Sequence, residues 1–243
     1  EYEMAYLTVT TQADVVDPSD GKLSLREAVA QANASASADT IRFIAALEGK
    51  TLVLTGGELV VTQDLTIDGD AQDAGTQVTI DGNVRSRILL ISGAGTDVTL
   101  KAMTLTNGAP GEHDGNGGGI LLGGGSLKLV DSTLYLNRAG SYDAGGAIFA
   151  QNGSKIAIYN SNLYLNKGGY EGGGSIATEK NVSINVRKST IIGNSSFSGA
   201  GGIRLRDESS LVLEDSTVKG NGGGYSVGGA LWASNSTASL KNS

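Results

Sequence analysis

Three series of residues recur through the second half of this chain on one period. Asn107, Asn137, Asn166, Asn194 and Asn221 each follow a short apolar run, at steps of 30, 29, 28 and 27. Ser132, Ser161, Ser189, Ser216 and Ser243 step by 29, 28, 27 and 27. Small residues precede an aliphatic one at Gly119-Ile120, Ala147-Ile148, Ser175-Ile176, Gly202-Ile203 and Ala230-Leu231, with steps of 28, 28, 27 and 28. A shared period of this length is the mark of stacked repeats. Within each period, bursts such as Leu127-Lys128-Leu129 and Ile156-Ala157-Ile158 alternate in a way that suits strands with one buried face.

About three bursts per period, separated by Gly, Asn and Ser turns, describe a three-sided coil. Coils stacked ~4.8 Å apart bury a continuous core that no single repeat buries alone. No hexapeptide period is present, and no repeat carries the paired amphipathic helices of an α-solenoid. The expected fold is therefore all-β: a right-handed parallel β-helix of about seven coils of 27–28 residues, rising roughly 35 Å. The 37 glycines against 2 prolines suit repeated tight turning. Weaker bursts upstream, from Thr51-Leu54 to Val98-Leu100, place the first coil near Ile41. One domain is expected, with residues 1–40 as a cap continuous with a solenoid over 41–243.

Residues 24–33 break the strand pattern. Leu25, Ala28, Val29 and Ala32 form one helical stripe, Ser24 and Glu27 fit a capping box, and Asn33 suits a stop. A short helix here is placed to cover the end of the core. Asp20-Gly21-Lys22-Leu23-Ser24-Leu25-Arg26-Glu27-Ala28-Val29, then Asp39-Thr40-Ile41-Arg42-Phe43 and Asp64-Leu65-Thr66-Ile67-Asp68-Gly69, resembles the CSLREA-type N-terminal region of secreted bacterial β-helix proteins. Leu23 stands where that family has cysteine, which points to packing. The downstream repeats resemble those of the same surface proteins and of polymorphic outer-membrane protein passengers. The resemblance implies a secreted or cell-surface β-helix and assigns no chemistry.

A net charge of −7 and a pI near 4.7 argue against nucleic acid, and no basic amphipathic helix or ~20-residue apolar run points to a membrane. Absent cysteines exclude disulfides and thiolate metal sites. The chain opens at Glu1 without a charged-then-apolar leader, so any secretion signal is expected to be absent or already removed.

The Asn series is expected to satisfy backbone groups of neighbouring coils rather than to bind a ligand. Tyr142, Tyr170, Phe197 and Tyr225 form a second ladder, each six residues before the aliphatic anchor. Facing out, they make a flat platform for sugar rings or a partner. The neighbouring glycines favour rings folded inward, as packing worth ~1 kcal/mol per pair beyond burial. Tyr135 and Tyr164 form a shorter pair on the outward phase.

Asp68, Asp70, Asp73 and Asp81 lie around Gly-containing turns, where carboxylates either bind Ca²⁺ or hydrogen-bond their own backbone. Asp143 and Glu171 should face one another from adjacent coils and need a cation or base between them. His113, the only histidine, lies in a Gly-rich turn beside two carboxylates. No organic cofactor is expected.

An enzyme on acidic glycans is the third class of reading. The polygalacturonase-like Asn-Thr-Asp, Asp-Asp, Gly-His-Gly and Arg-Ile-Lys set, a pectate-lyase-like Arg- and Asp-rich calcium cleft and the epimerase-like Asp-Pro-His are all missing from the sequence. Leu240-Lys241-Asn242-Ser243 matches the start of another repeat, so further protein or strand addition by a second copy is expected there. A non-enzymatic extracellular module acting in adhesion or assembly is the leading expectation. Its partners would be surface glycan or copies of itself, as an oligomer or fibre.

Overall fold

A computed structural model describes residues 5–70, 75–93, 95–111, 115–224 and 228–243. The chain winds into a three-sided parallel solenoid of about seven coils. Each coil gives one strand to a first sheet, one to a second and one to a third. In one full coil these are Ser126–Val130, Thr133–Tyr135 and Ile148–Ala150. The first sheet has nine strands and the other two have seven, all joined in parallel. Registers follow the sequence period directly: Leu127 pairs with Ile156, Leu134 with Leu163 and Ile148 with Ile176.

Inward residues of the bursts form one apolar core from Val9 to Leu213, in which Ile120, Ile148, Ile176 and Leu205 are wholly or almost wholly buried. The corners place single residues in the left-handed region. Asp131, Asn160, Lys188 and Asp215 occupy one such column, with φ of 51°, 46°, 49° and 49°. After each of these four stands a serine of the expected series. Ser132, Ser161 and Ser189 each present a backbone N–H that donates to the hydroxyl of the serine one coil on, at 3.1 Å in all three cases.

The asparagine series forms a second ladder. Asn166 Oδ1 accepts from the Asn137 backbone N–H at 3.0 Å, while Asn166 Nδ2 donates to the Leu134 carbonyl at 2.9 Å. Asn194 repeats both bonds against coil 166, and Asn221 against coil 194. Each buried amide thus accepts from a corner N–H of the preceding coil and gives a second donor to a carbonyl of the second sheet. Asn107 does not belong to this ladder. Its φ is 55°, like Leu136 and Leu165, and Gly108 stands at the ladder position instead. The odd first step of 30 reflects that one-residue offset.

The helix spans Leu25–Ala34, one residue beyond the expected stop. Ser24 and Glu27 close the capping box, and the expected stripe is buried. Asn33 instead clamps the helix to the third sheet: its Nδ2 donates to Val60 O at 2.7 Å and its Oδ1 accepts from Thr62 N at 2.8 Å. Leu23 packs against the core edge. The solenoid also begins earlier than Ile41. Strand Tyr6–Val9 pairs with Asp39–Phe43 as the outermost rung of the first sheet. That burst escaped the period because the helix and its flanks separate it from the next strand by some 30 residues.

Two carboxylates secure the cap. Glu27 accepts from the N–H groups of Ser24 and Asp17, which holds it below its ordinary pKa of 4.5. Burial alone would raise Asp14, but hydrogen bonds from Arg26 and from the N–H groups of Gly56 and Thr55 outweigh it and leave the pKa below 3.8. Depressed carboxylates contribute stability above their unfolded pKa and lose it as pH falls through the folded value. The cap should therefore open below about pH 4, ahead of the rungs beyond it. Hydrogen exchange between pH 5 and 2 checks this, and protection of the helix that stays level with that of the Ile148 and Ile176 strands would refute it.

Candidate functional site

Between the second and third sheets the chain makes a detour in each of three successive coils, over residues 138–147, 167–175 and 195–202. These straps stack on one another. Arg138 pairs with Lys167, Lys167–Gly168 with Ser195–Ser196, and Ala144 with Gly172. They fold back over the outer face of the third sheet and bury Phe149 and Ala177 beneath Ala144, in a small apolar cluster outside the main core.

Glycine permits this return. A Cβ on Gly118 would lie 2.4 Å from Gly146 O, one on Gly146 2.3 Å from Gly174 O, and one on Gly174 2.2 Å from Gly201 O. The glycine two residues before each of these aliphatic anchors thus stands in a column of backbone contacts.

The aromatic ladder rides on the straps. Tyr142 stacks on Tyr170 with centroids 5.5 Å apart and planes 13° apart, and Phe197 follows 4.3 Å away at 43°. The expectation of rings folded inward is corrected: they are 71%, 44% and 47% exposed. The glycines bring backbone to backbone, which leaves no room for rings beneath. Tyr225, the fourth candidate, lies outside the described residues. Tyr135 and Tyr164 also stack, at 5.2 Å and 13°, on the outward phase of the second sheet. Burial first, then the neighbouring Tyr135, raises the Tyr164 hydroxyl above its ordinary pKa.

On one side of the stack a groove of about 310 Å³ is lined by Arg138, Lys167, Tyr170 and Phe197. On the other, a hollow of about 150 Å³ is lined by Tyr170, Glu171, Arg204, Arg206 and Trp232. Glu171 Oε2 accepts from Arg204 Nη1 at 2.7 Å and lies 2.9 Å from Arg206 Nη1. Glu171 is thus met by two guanidinium groups of its own chain, while Asp143 accepts from the Gly115 N–H at 3.2 Å. Burial, then Arg206, lowers the pKa of Arg204, and Glu171 opposes them.

Among the described residues the acidic candidates lie on two sheets: Asp68, with Asp70 in the turn after it, ends a first-sheet strand, and Asp81 ends a second-sheet strand. Asp68 pairs with Lys101 at 3.0 Å on the first sheet and accepts from the Asp70 N–H. Asp70 accepts from the Gly75 N–H at 2.9 Å. Asp81, on the second sheet, accepts from the Asn83 N–H and from Asn107 Nδ2. These are the bonds of turn-forming aspartates. Among the described residues no three carboxylate or histidine side chains converge as a metal cluster. Asp73 and His113 lie outside those residues.

Sequence reasoning passed over Arg138, Lys167, Arg204, Arg206 and Trp232. Arg204 interrupts an outward column of Leu121, Phe149, Ala177, Arg204 and Trp232. A charged residue among those apolar ones was the available signal.

The chain belongs to the right-handed β-helix family: the family model for a right handed beta helix region matches residues 66–243. A search of curated proteins finds no match.

Proposed function

We propose that this chain is a non-enzymatic, extracellular glycan-binding module that serves adhesion through the strap face. The observation that carries this reading is the row of three exposed rings, Tyr142, Tyr170 and Phe197, held on consecutive rungs beside a groove. Flat aromatic faces offer apolar area to sugar C–H faces, and polar residues at the edge of the groove fix orientation. The CSLREA-like N-terminal segment supports an extracellular setting. The acidic candidates accept from turn N–H groups, which gives no support to a pair of carboxyl groups placed to flank a glycosidic bond.

A glycan array followed by calorimetry tests the reading, with wild type beside the triple variant Y142A/Y170A/F197A. At about 1 kcal/mol per ring, the triple variant should bind about 100-fold more weakly. Its melting temperature should fall only modestly, because the rings lie outside the core and keep 71%, 44% and 47% of their surface in solvent. Equal binding by the two proteins would overturn the proposal. So would a wild type that binds no glycan and instead forms rods by light scattering, which would favour assembly among copies.

A further inference from the structure

Arg204 is the anomaly of the strap face. Its side chain is 1% exposed, and among the described residues its Nε and Nη2 have no hydrogen-bond partner. Only Nη1 is hydrogen-bonded, to the carbonyl and the carboxylate of Glu171. Glu179 Oε1 stands 4.0 Å from Nη2. Burying a guanidinium with two of its three nitrogens unbonded is costly, and a merely structural column position would hold an apolar residue, as Ala177 and Phe149 do one and two rungs away. Glu171, by contrast, is 48% exposed, and its carboxylate reaches in from the solvent side to touch both Arg204 and Arg206.

We infer that the hollow between Tyr170 and Trp232 is a subsite for an oxyanion carried on a sugar, a carboxylate or a sulfate, and that Glu171 is its internal stand-in. This rests on the strap face being the glycan-binding surface. Glu171 Oε2 marks where a ligand oxygen sits, 2.7 Å from Arg204 Nη1 and 2.9 Å from Arg206 Nη1. Charge-assisted bonds from two guanidinium groups select an anion over a neutral hydroxyl. Arg206 also lies over Trp232, 5.8 Å from the ring centroid, so the exposed cation is held in place by an aromatic face. Binding exchanges carboxylates: Glu171 swings into solvent and the ligand's oxyanion takes its two donors. No covalent bond forms or breaks. Across Tyr170, Arg138 and Lys167 line the neighbouring groove, so a chain bearing repeated negative charge meets cations on both sides of the ring stack.

The test is calorimetry of the whole chain with three hexamers: α-1,4-galacturonate, its full methyl ester and a sulfated galactan. The galacturonate or the sulfated hexamer should bind about tenfold more tightly than the ester, and which of the two does so names the anion. Arg206→Gln should lower affinity for that acidic hexamer about tenfold and leave the ester unchanged. Glu171→Gln should raise it about fivefold by removing the competitor, again without effect on the ester. Arg206 is 35% exposed, so R206Q is expected to fold, whereas Arg204→Gln risks the strap itself. Equal affinity for acidic and esterified hexamers, lost together in Tyr170→Ala, would overturn the oxyanion subsite and leave the glycan-binding face standing. An E171Q protein no tighter than wild type, with R206Q no weaker, would overturn it as well. No binding of any hexamer or arrayed glycan would overturn the glycan-binding reading, and the subsite with it.

Discussion

An Asn166→Leu substitution is expected to destabilise the solenoid by about 3–5 kcal/mol. Asn166 is fully buried, and leucine keeps its branched outline but not its bonds, while its bulkier methyl ends overpack the corner at a cost of about 1–3 kcal/mol. The Asn137 backbone N–H, which donates to Asn166 Oδ1, would be orphaned, and the Leu134 carbonyl would lose the side-chain donor that it takes from Asn166 Nδ2. A buried orphan costs about 1–3 kcal/mol. The gain from one more apolar side chain is smaller, because the corner is lined by polar backbone. Urea unfolding measures the difference. Asn166→Asp keeps the acceptor but loses the donor and buries a charge, so it should fare no better. A leucine variant within 1 kcal/mol of wild type would mean that water replaces the lost groups, and that the ladder is not a determinant of stability.

Gly146→Ala should cost about 3 kcal/mol and also weaken binding, although it alters no ring. Its Cβ would sit 2.3 Å from Gly174 O and 2.5 Å from Lys167 N, both backbone atoms that no rotamer change can move. The strap must lift away from the strap above, and the lift carries Tyr142 out of line with Tyr170. Gly111→Ala is the control, since among the described residues nothing lies within 4 Å of its new methyl, and its effect should stay within about 0.5 kcal/mol. Melting curves and glycan affinity measured on both variants separate the effects. A G146A protein that loses stability but keeps wild-type affinity would show that the rings do not depend on the straps for their alignment.

The solenoid was legible because its signals repeat. Inward aliphatics, corner serines and corner asparagines return on a common period, and parallel stacking turns that period straight into register. The capping helix was legible from local chemistry, in Ser24, Glu27 and one apolar stripe. The first rung was not. Tyr6–Val9 is a single burst whose partner, Asp39–Phe43, lies beyond the helix.

Aromatic spacing located Tyr142, Tyr170 and Phe197 on neighbouring rungs, yet their direction depends on how the straps fold. That is a tertiary question which glycine content answered wrongly: the same glycines admit either an inward ring or a close backbone, and backbone contact prevails. Arg204 and Arg206 lay outside every series, and only the pairing of Arg204 with Ala177 and Trp232 reveals how unusual a buried arginine is there. Asp143 and Glu171 stand one residue before Ala144 and Gly172, which pair between adjacent coils, but the guanidinium pair that meets Glu171 comes from the following coil.

The stack of rings is borne by rungs whose separation is fixed by interstrand hydrogen bonds, so it behaves as a ruler. Its divisions, 5.5 Å and then 4.3 Å between centroids, vary only by the turning of the rings on rungs of constant spacing. A stiff polymer already near that spacing gives up little freedom in docking, whereas a flexible one bears the whole ordering cost itself. Gain or loss of one coil of 27–28 residues would lengthen or shorten the scale by one mark. Relatives of different length would then differ in how long a ligand they measure, while the chemistry read at each mark stays the same.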